Sequence, residues 1–248
     1  MTIGTDADLS GLQRVGRLVA RTLDAMRAEV RPGIATGALD DIAERVARRA
    51  GARSAPRLAY HFPGFTCISV NEEIVHGIPG ARLLAPGDVV KLDVTLELDG
   101  YIADAAVTVL VPPAASEAKR LQRCARQAFN SALRAAHAGA PLAGIGRAVE
   151  DEVRRHGFAV IRELSGHGVG RRIHESPSVP NWFDPRARGA LSAGLVIAVE
   201  PMVSAAPARV VEEPDGWTLR THNRVLAAHH EHTIVIRAGR PLVLTAAA

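Results

Sequence analysis

Residues 89–111 read VVKLDVTLELDGYIADAAVTVLV, and the fold turns on how this stretch is paired. Val90, Leu92, Val94, Leu96 and Leu98 alternate with Lys91, Asp93, Thr95 and Glu97, the period-two pattern of a strand. Asp99-Gly100 is a two-residue hairpin signal. Centring the turn there pairs Leu98 with Tyr101 and Thr95 with Asp104. Asp104 then shares a face with Asp93, diagonal to it, at the ~7–8 Å of such neighbours. Two carboxylates so placed suit a shared ion, or a pair of ions ~3.5–4 Å apart. The plainer reading is a solvated strand face. Against it, Asp104 stands between Ile102-Ala103 and Ala105-Ala106-Val107. An acid in so apolar a run needs a partner, because an unpaired buried carboxylate is costly.

Outward from the hairpin, the chain repeats itself. An amphipathic helix is expected over 9–30, with Leu12, Val15, Leu18, Val19, Leu23 and Met26 on one face, and a second over 37–50. Helices recur at about 115–137 and 142–156. Gly33 to Gly51 encloses one helix and Gly139 to Gly157 another, over the same span. LAPGDVVKLD (84–93) aligns with LSAGLVIAVE (191–200), leucine, glycine and terminal acid in register. VHGIP (75–79) matches IHESP (173–177). Three features recurring in the same order favour duplication over chance in an Ala/Gly-rich chain. A doubled helix–helix–strand unit builds one α+β body with a site between its halves. No linker rich in Pro, Gly or Ser divides the 248 residues, so one catalytic domain over 1–248 is expected, with pseudo-repeats at about 9–111 and 114–237.

Composition excludes several alternatives. The net charge of +4 is spread in short arginine pairs, and aromatics make up 4%, too few for a base-stacking platform. No specific nucleic-acid partner is expected. Two cysteines, Cys67 and Cys124, support neither a disulfide framework nor a thiolate zinc site. With no apolar run near ~18 residues and no signal-like start, no membrane association is expected, and a cytoplasmic location is the default.

The stretch GHGVGRRIHESP (166–177) sets His167 and His174 around a glycine-rich core. If both serve one site the chain must fold back between them, which the glycines permit. Glu200 ends the apolar run LVIAVE, and Glu231 opens EHTIVI, read as the last strand, among His229, His230 and His232. Any one of those histidines is more often a surface or capped core residue than a ligand. Four strand-borne acids with one histidine suit Mn, Fe, Co or Mg, with Zn also open, and hydrolytic chemistry.

These residues resemble the type I methionine aminopeptidases of the pita-bread metallopeptidase fold. The resemblance runs in order through TCISVNEEIVHGIP, GDVVKLDV, the Asp93/Asp104 pair, SGHGVGRRIHESP, AVEPMV, DGWTLRT and HEHTIVI, over about 9–237. It implies an internally duplicated α+β fold: a curved sheet, helices outside, and the site between the halves. It implies two divalent ions (Co, Mn, Fe or Zn) held by Asp93, Asp104, His167, Glu200 and Glu231. Asp93 resembles the bidentate acid, Asp104 and Glu231 the bridging acids, and His167 and Glu200 the ligands of the second ion. Glu200 also resembles the proton shuttle, and His76 and His174 the non-ligand histidines at the scissile amide. Tyr60, Phe62, Cys67, Ile173 and Trp217 fall where the family lines its methionine pocket. The implied substrate is a peptide or nascent-chain N-terminus with a small second residue, met at the ribosome by a monomeric enzyme of the short, bacterial style.

Three departures mark this chain. Ala105 replaces the usual threonine after the bridging acid, removing a hydroxyl; Ile173 replaces the usual aromatic; and the YHFP segment is one residue shorter. Two other readings stay open: a peptidase of the same fold acting on X-Pro bonds as aminopeptidase P and prolidase do, and a binding module that has lost catalysis.

Overall fold

The computed structural model describes residues 1–246. The first helix, α1 (Asp6–Glu29), starts at Thr5, whose hydroxyl accepts from the Asp8 backbone N–H while the Asp8 carboxylate accepts from that of Thr5. This capping box begins the helix ahead of the first periodic apolar residue. Helix α2 (Thr36–Arg49) packs beside it. A short helix, α3 (Ala55–Tyr60), follows where the sequence suggested no element. The Ser54 hydroxyl caps it and His61, at φ 58°, ends it, so its signal lies in a cap and a proline rather than in periodicity. Helices α4 (Ser116–Ala135) and α5 (Leu142–Arg155) complete the set.

The hairpin forms as its turn dictates: Val89–Leu98 pairs with Tyr101–Leu110 in the expected register, Leu98 opposite Tyr101 and Thr95 opposite Asp104. Cys67–Val70 and Arg53–Ser54 add to the same antiparallel sheet. Both faces of the first strand are covered. Lys91, Thr95 and Glu97 are as covered as their apolar neighbours, because other elements close over the polar face. The Lys91 ammonium, buried among protein, donates to the carbonyls of Asn71 and Val89.

In the second half, five antiparallel strands run in the order Leu242–Val243, His232–Val235, Val196–Val199, Ser165–Gly168, Glu175–Pro180. His232–Val235 is therefore not the last strand; Leu242–Val243 pairs outside it. Leu12, Val15, Leu18 and Leu39 of α1 and α2 bury against Leu92, Val94 and Leu96. Leu121, Phe129, Ile145 and Val149 of α4 and α5 bury against Ile197, Val199 and Ile234 in a separate core. The matched glycines also match in backbone: Gly33 and Gly139 lie at φ 83° and 84°, Gly51 and Gly157 at 77° and 74°. These are left-handed positions that glycine adopts at little cost.

The halves meet through backbone. Glu231 N–H donates to the Ala106 carbonyl at 2.9 Å, and Ala106 N–H returns to Glu231. The Thr233 hydroxyl donates to the Asp104 carbonyl and accepts from the Asp104 N–H, each at 2.8 Å. The two strands that carry acids are thus clamped side by side at the seam.

Candidate metal centre

Asp104 and Asp93 project from the hairpin into a cavity of about 660 Å³ at this seam. The cavity is also lined by His167 from Ser165–Gly168, by Glu200 just after Val196–Val199, and by Glu231 between Ala227–His229 and His232–Val235. His167 Nδ1 lies 2.9 Å from the Gly168 carbonyl, which can only accept, so Nδ1 carries the proton and Nε2 keeps its lone pair. That Nε2 is 3.4 Å from Glu200 Oε1 and 3.9 Å from Asp104 Oδ2.

Burial and mutual repulsion push the carboxyls of Asp93, Glu200 and Glu231 well above the usual carboxylate range. Asp104 is raised too, by burial, with the Thr95 hydroxyl opposing the shift. Among the described residues no lysine or arginine lines the cavity. Three buried acids and the partly buried Asp93, without a counter-cation, are expensive to ionise. Glu231 Oε1 has no hydrogen-bond partner at all. Donor atoms of Asp104, His167 and Glu231 lie within 4.8 Å of one another, as do those of Asp93, His229 and Glu231. Oxygen-rich sets of this kind, with a neutral imidazole, fit divalent cations.

The glycine-rich stretch does fold back. Ser165–Gly168 pairs with Glu175–Pro180, and the rings of His167 and His174 lie edge to face with centroids 4.3 Å apart. Gly168 permits the approach: a Cβ there would sit 2.2 Å from the Ser176 carbonyl oxygen. Nδ1 of His174 meets the Tyr60 hydroxyl at 2.6 Å. Burial and the neighbouring His167 hold His174 below the usual histidine range, against the opposing pull of Asp104. His76 stands across the cavity at φ 59°, a strained backbone for a non-glycine residue. The surrounding protein, with His174 adding to it, pushes the His76 ring down to about 4. Both histidines are neutral near pH 7.

The rest of the wall is apolar. Phe62 and Trp217 meet edge to face at 5.2 Å, flanked by Cys67, Val75, Ile173 and Met202. Burial, with Asp93 adding to it, raises the Cys67 thiol far above its ordinary value, so it is a neutral wall group and not a thiolate ligand. Every site residue expected from the sequence lines this one cavity.

Three residues escaped the sequence reading. Thr95 Oγ1 donates to Asp104 Oδ1 at 2.8 Å and supplies a hydroxyl beside the acid that Ala105 does not. Met202 extends the apolar wall. His229 is 1% exposed, not a surface residue, with both ring nitrogens unpartnered. Its signal was available, since His229 and Glu231 are two apart on an extended stretch and share a face. His230 and His232 pack instead on Phe129. Thr95→Val is expected to weaken metal binding about tenfold, the loss typical of a group that orients a ligand. Titration calorimetry with Mn measures it; unchanged affinity would show that the Thr95 hydroxyl does not orient the Asp104 carboxylate.

The chain belongs to metallopeptidase family M24, whose model matches residues 10–238. It is 41% identical to methionine aminopeptidase 2 of Bacillus subtilis over 99% of both chains. The crystal structure of methionine aminopeptidase from Rickettsia prowazekii superposes with a TM-score of 0.95 at 33% identity, covering 99% of this chain and 100% of that one. A more distant likeness, to an Xaa-Pro dipeptidase from Bacillus anthracis, has a TM-score of 0.79 at 18% identity and spans 62% of that protein. It reflects the common pita-bread fold alone.

Proposed function

We propose that the protein removes the N-terminal methionine from peptides and nascent proteins whose second residue is small, using two divalent ions. The observation that carries this reading is an acid-and-histidine cluster opening directly into an apolar pocket closed by Phe62 and Trp217. The pocket suits an unbranched apolar side chain, and the cluster suits hydrolysis beside it. Asp93, Asp104, His167, Glu200 and Glu231 are the proposed metal ligands, with Asp104 and Glu231 shared. Bound there, divalent metal makes water nucleophilic at neutral pH and polarises a carbonyl.

The chain's own groups do the rest. Glu200, placed among the acids at the cavity, takes a proton from the attacking water and passes it towards the leaving amine. His76 and His174, neutral at pH 7, offer N–H groups to the scissile amide and the charge developing on its oxygen. Tyr60 orients His174 through Nδ1. Tyr60, Phe62, Cys67, Ile173 and Trp217 exclude water from the methionine side chain.

Residues 1–248 are proposed to act as one monomeric catalytic unit, with repeats at about 9–111 and 114–237, meeting its substrates at the ribosome in the cytoplasm. Two free, buried cysteines are in keeping with a reducing compartment. Among the described residues no helix is long and apolar enough to cross a membrane.

Chelator-stripped protein restored separately with Mn, Co, Fe or Zn decides between the readings. Methionine release from Met-Ala-Ser, with no cleavage of Ala-Pro peptides, is expected. Cleavage of Ala-Pro peptides instead would move the protein to the proline-specific branch. Stoichiometric metal binding without release under any metal would make it a binding module.

A further inference from the structure

His229 stands beside the acids of the metal centre, and no role proposed above uses it. Its Nε2 is 3.6 Å from Glu231 Oε2 and 3.7 Å from Glu200 Oε2. Those separations are too long for hydrogen bonds. They match neighbouring donors on one cation: with bonds of ~2.0–2.2 Å, donors at a tetrahedral angle lie ~3.4 Å apart and opposed donors ~4.2 Å. The donor atoms of Asp93, His229 and Glu231 fall within 4.8 Å of one another, close to that span. A buried imidazole without a partner on either nitrogen is costly, and so is the unpartnered Glu231 Oε1 beside it. One cation relieves both. A hydrogen bond from His229 to Glu231 would need the two to close by more than half an ångström and would leave the Asp93 side without nitrogen. His229 also borders a second, polar cavity of about 380 Å³ with Thr108, Gln122 and Arg126.

We propose that His229 Nε2 is a further metal ligand, completing a second nitrogen-bearing set with Asp93 and Glu231 opposite the set made by His167, Asp104 and Glu231. Each ion then has one imidazole, and Glu231 joins the two. The inference rests on the metal reading above and sharpens it to a preference. Imidazole at both ions favours Zn, Co and Fe over Mn and Mg, because nitrogen donors suit the later transition metals and oxygen sets the harder ions.

The test reads the metal and not turnover. In His167→Ala loaded with one equivalent of Mn(II), pulsed electron paramagnetic resonance is expected to show one directly coordinated nitrogen. His167→Ala/His229→Gln is expected to show none. In the otherwise unchanged protein, His229→Gln, which keeps an oxygen donor, is expected to lower the Zn-over-Mn affinity ratio at least tenfold by calorimetry. His229→Leu is expected to bind one ion fewer, or to bind it at least tenfold more weakly. Circular dichroism of the metal-free variants checks that each is folded. A nitrogen signal surviving in the double variant, or a Zn-over-Mn ratio unmoved in His229→Gln, would overturn the proposal. If His167→Ala loses neither ion nor affinity, the metal reading itself falls, which is a distinguishable result.

Discussion

His167→Ala is expected to lose metal, and His174→Ala to keep it and lose turnover. The two rings are in contact, yet their nitrogens face different tasks. His167 holds its proton on Nδ1 against the Gly168 carbonyl and turns a free lone pair towards Glu200 and Asp104. Removing it takes a nitrogen donor from an otherwise carboxylate set, so affinity for that ion should fall by at least the ~10–100-fold typical of losing even a supporting partner. His174 has its Nδ1 engaged with Tyr60 and is more open to the cavity. Its loss should leave metal stoichiometry intact and lower kcat by about 10²–10³, the range for removing one donor to a developing oxyanion. Metal analysis after gel filtration, with kcat and KM on Met-Ala-Ser, separates them. Equal metal loss in both variants would sink the assignment.

Divalent metal is expected to stabilise the fold, and the gain should grow as pH rises from 5 to 8. In the metal-free protein Asp93, Glu200 and Glu231 have carboxyls raised well above the usual range. Between the unfolded and folded values the native state holds protons that the unfolded chain has released. Stability contributed by these groups is therefore present at low pH and lost as pH rises. Metal must displace those protons, so binding strengthens over the same window. Lys91, lowered to about 7 by burial, and the lowered His230 and His232 act in other directions. They titrate alike with and without metal, so they cancel in the difference. At free metal a thousandfold above Kd the gain is about 4 kcal/mol, or about 8–16 °C at the 2–4 °C per kcal/mol of a chain this size. Thermal melts with and without chelator at pH 5 and pH 8 give the comparison. A larger metal effect at pH 5 would contradict the raised carboxyls.

Much of the site was legible because its residues sit on elements with strong local signals. Asp99-Gly100 pins the hairpin, and with it the diagonal of Asp93 and Asp104, since a one-residue slip would put the two acids on opposite faces. Gly87 and Gly194 stand at φ 95° and 82° ahead of Asp93 and Glu200, and equal backbone geometry is what makes the repeat readable. The helices were bounded to within a few residues where apolar periodicity runs to a glycine, and least well where a cap rather than periodicity sets the end, as at Thr5 and Ser54.

What stayed hidden depends on partners distant in sequence. Alternation along Val89–Leu98 reports two unlike faces and not which of them water reaches, so the apolar run around Asp104 argued against a solvated face without showing what covers it. Ala105 looked like a lost hydroxyl because Thr95 reaches Asp104 only across the strand pair. His229 looked like one of three equivalent histidines. Its neighbours His230 and His232 pack on Phe129 of α4, while His229 is buried against Glu200 and Glu231, with Asp93 of the first half close by.

The sequence by itself determined the α+β repeat, the hairpin register, the acid set and the two-histidine stretch, since each follows from periodicity, turn chemistry and residue type within a short window. Only the tertiary structure decided that the polar faces of both halves close on one cavity, that His167 and His174 point to different tasks across a glycine fold-back, and that His229 stands beside the acids. Those outcomes are set by which strands lie side by side at the Ala106–Glu231 seam, and that pairing brings together residues more than a hundred positions apart.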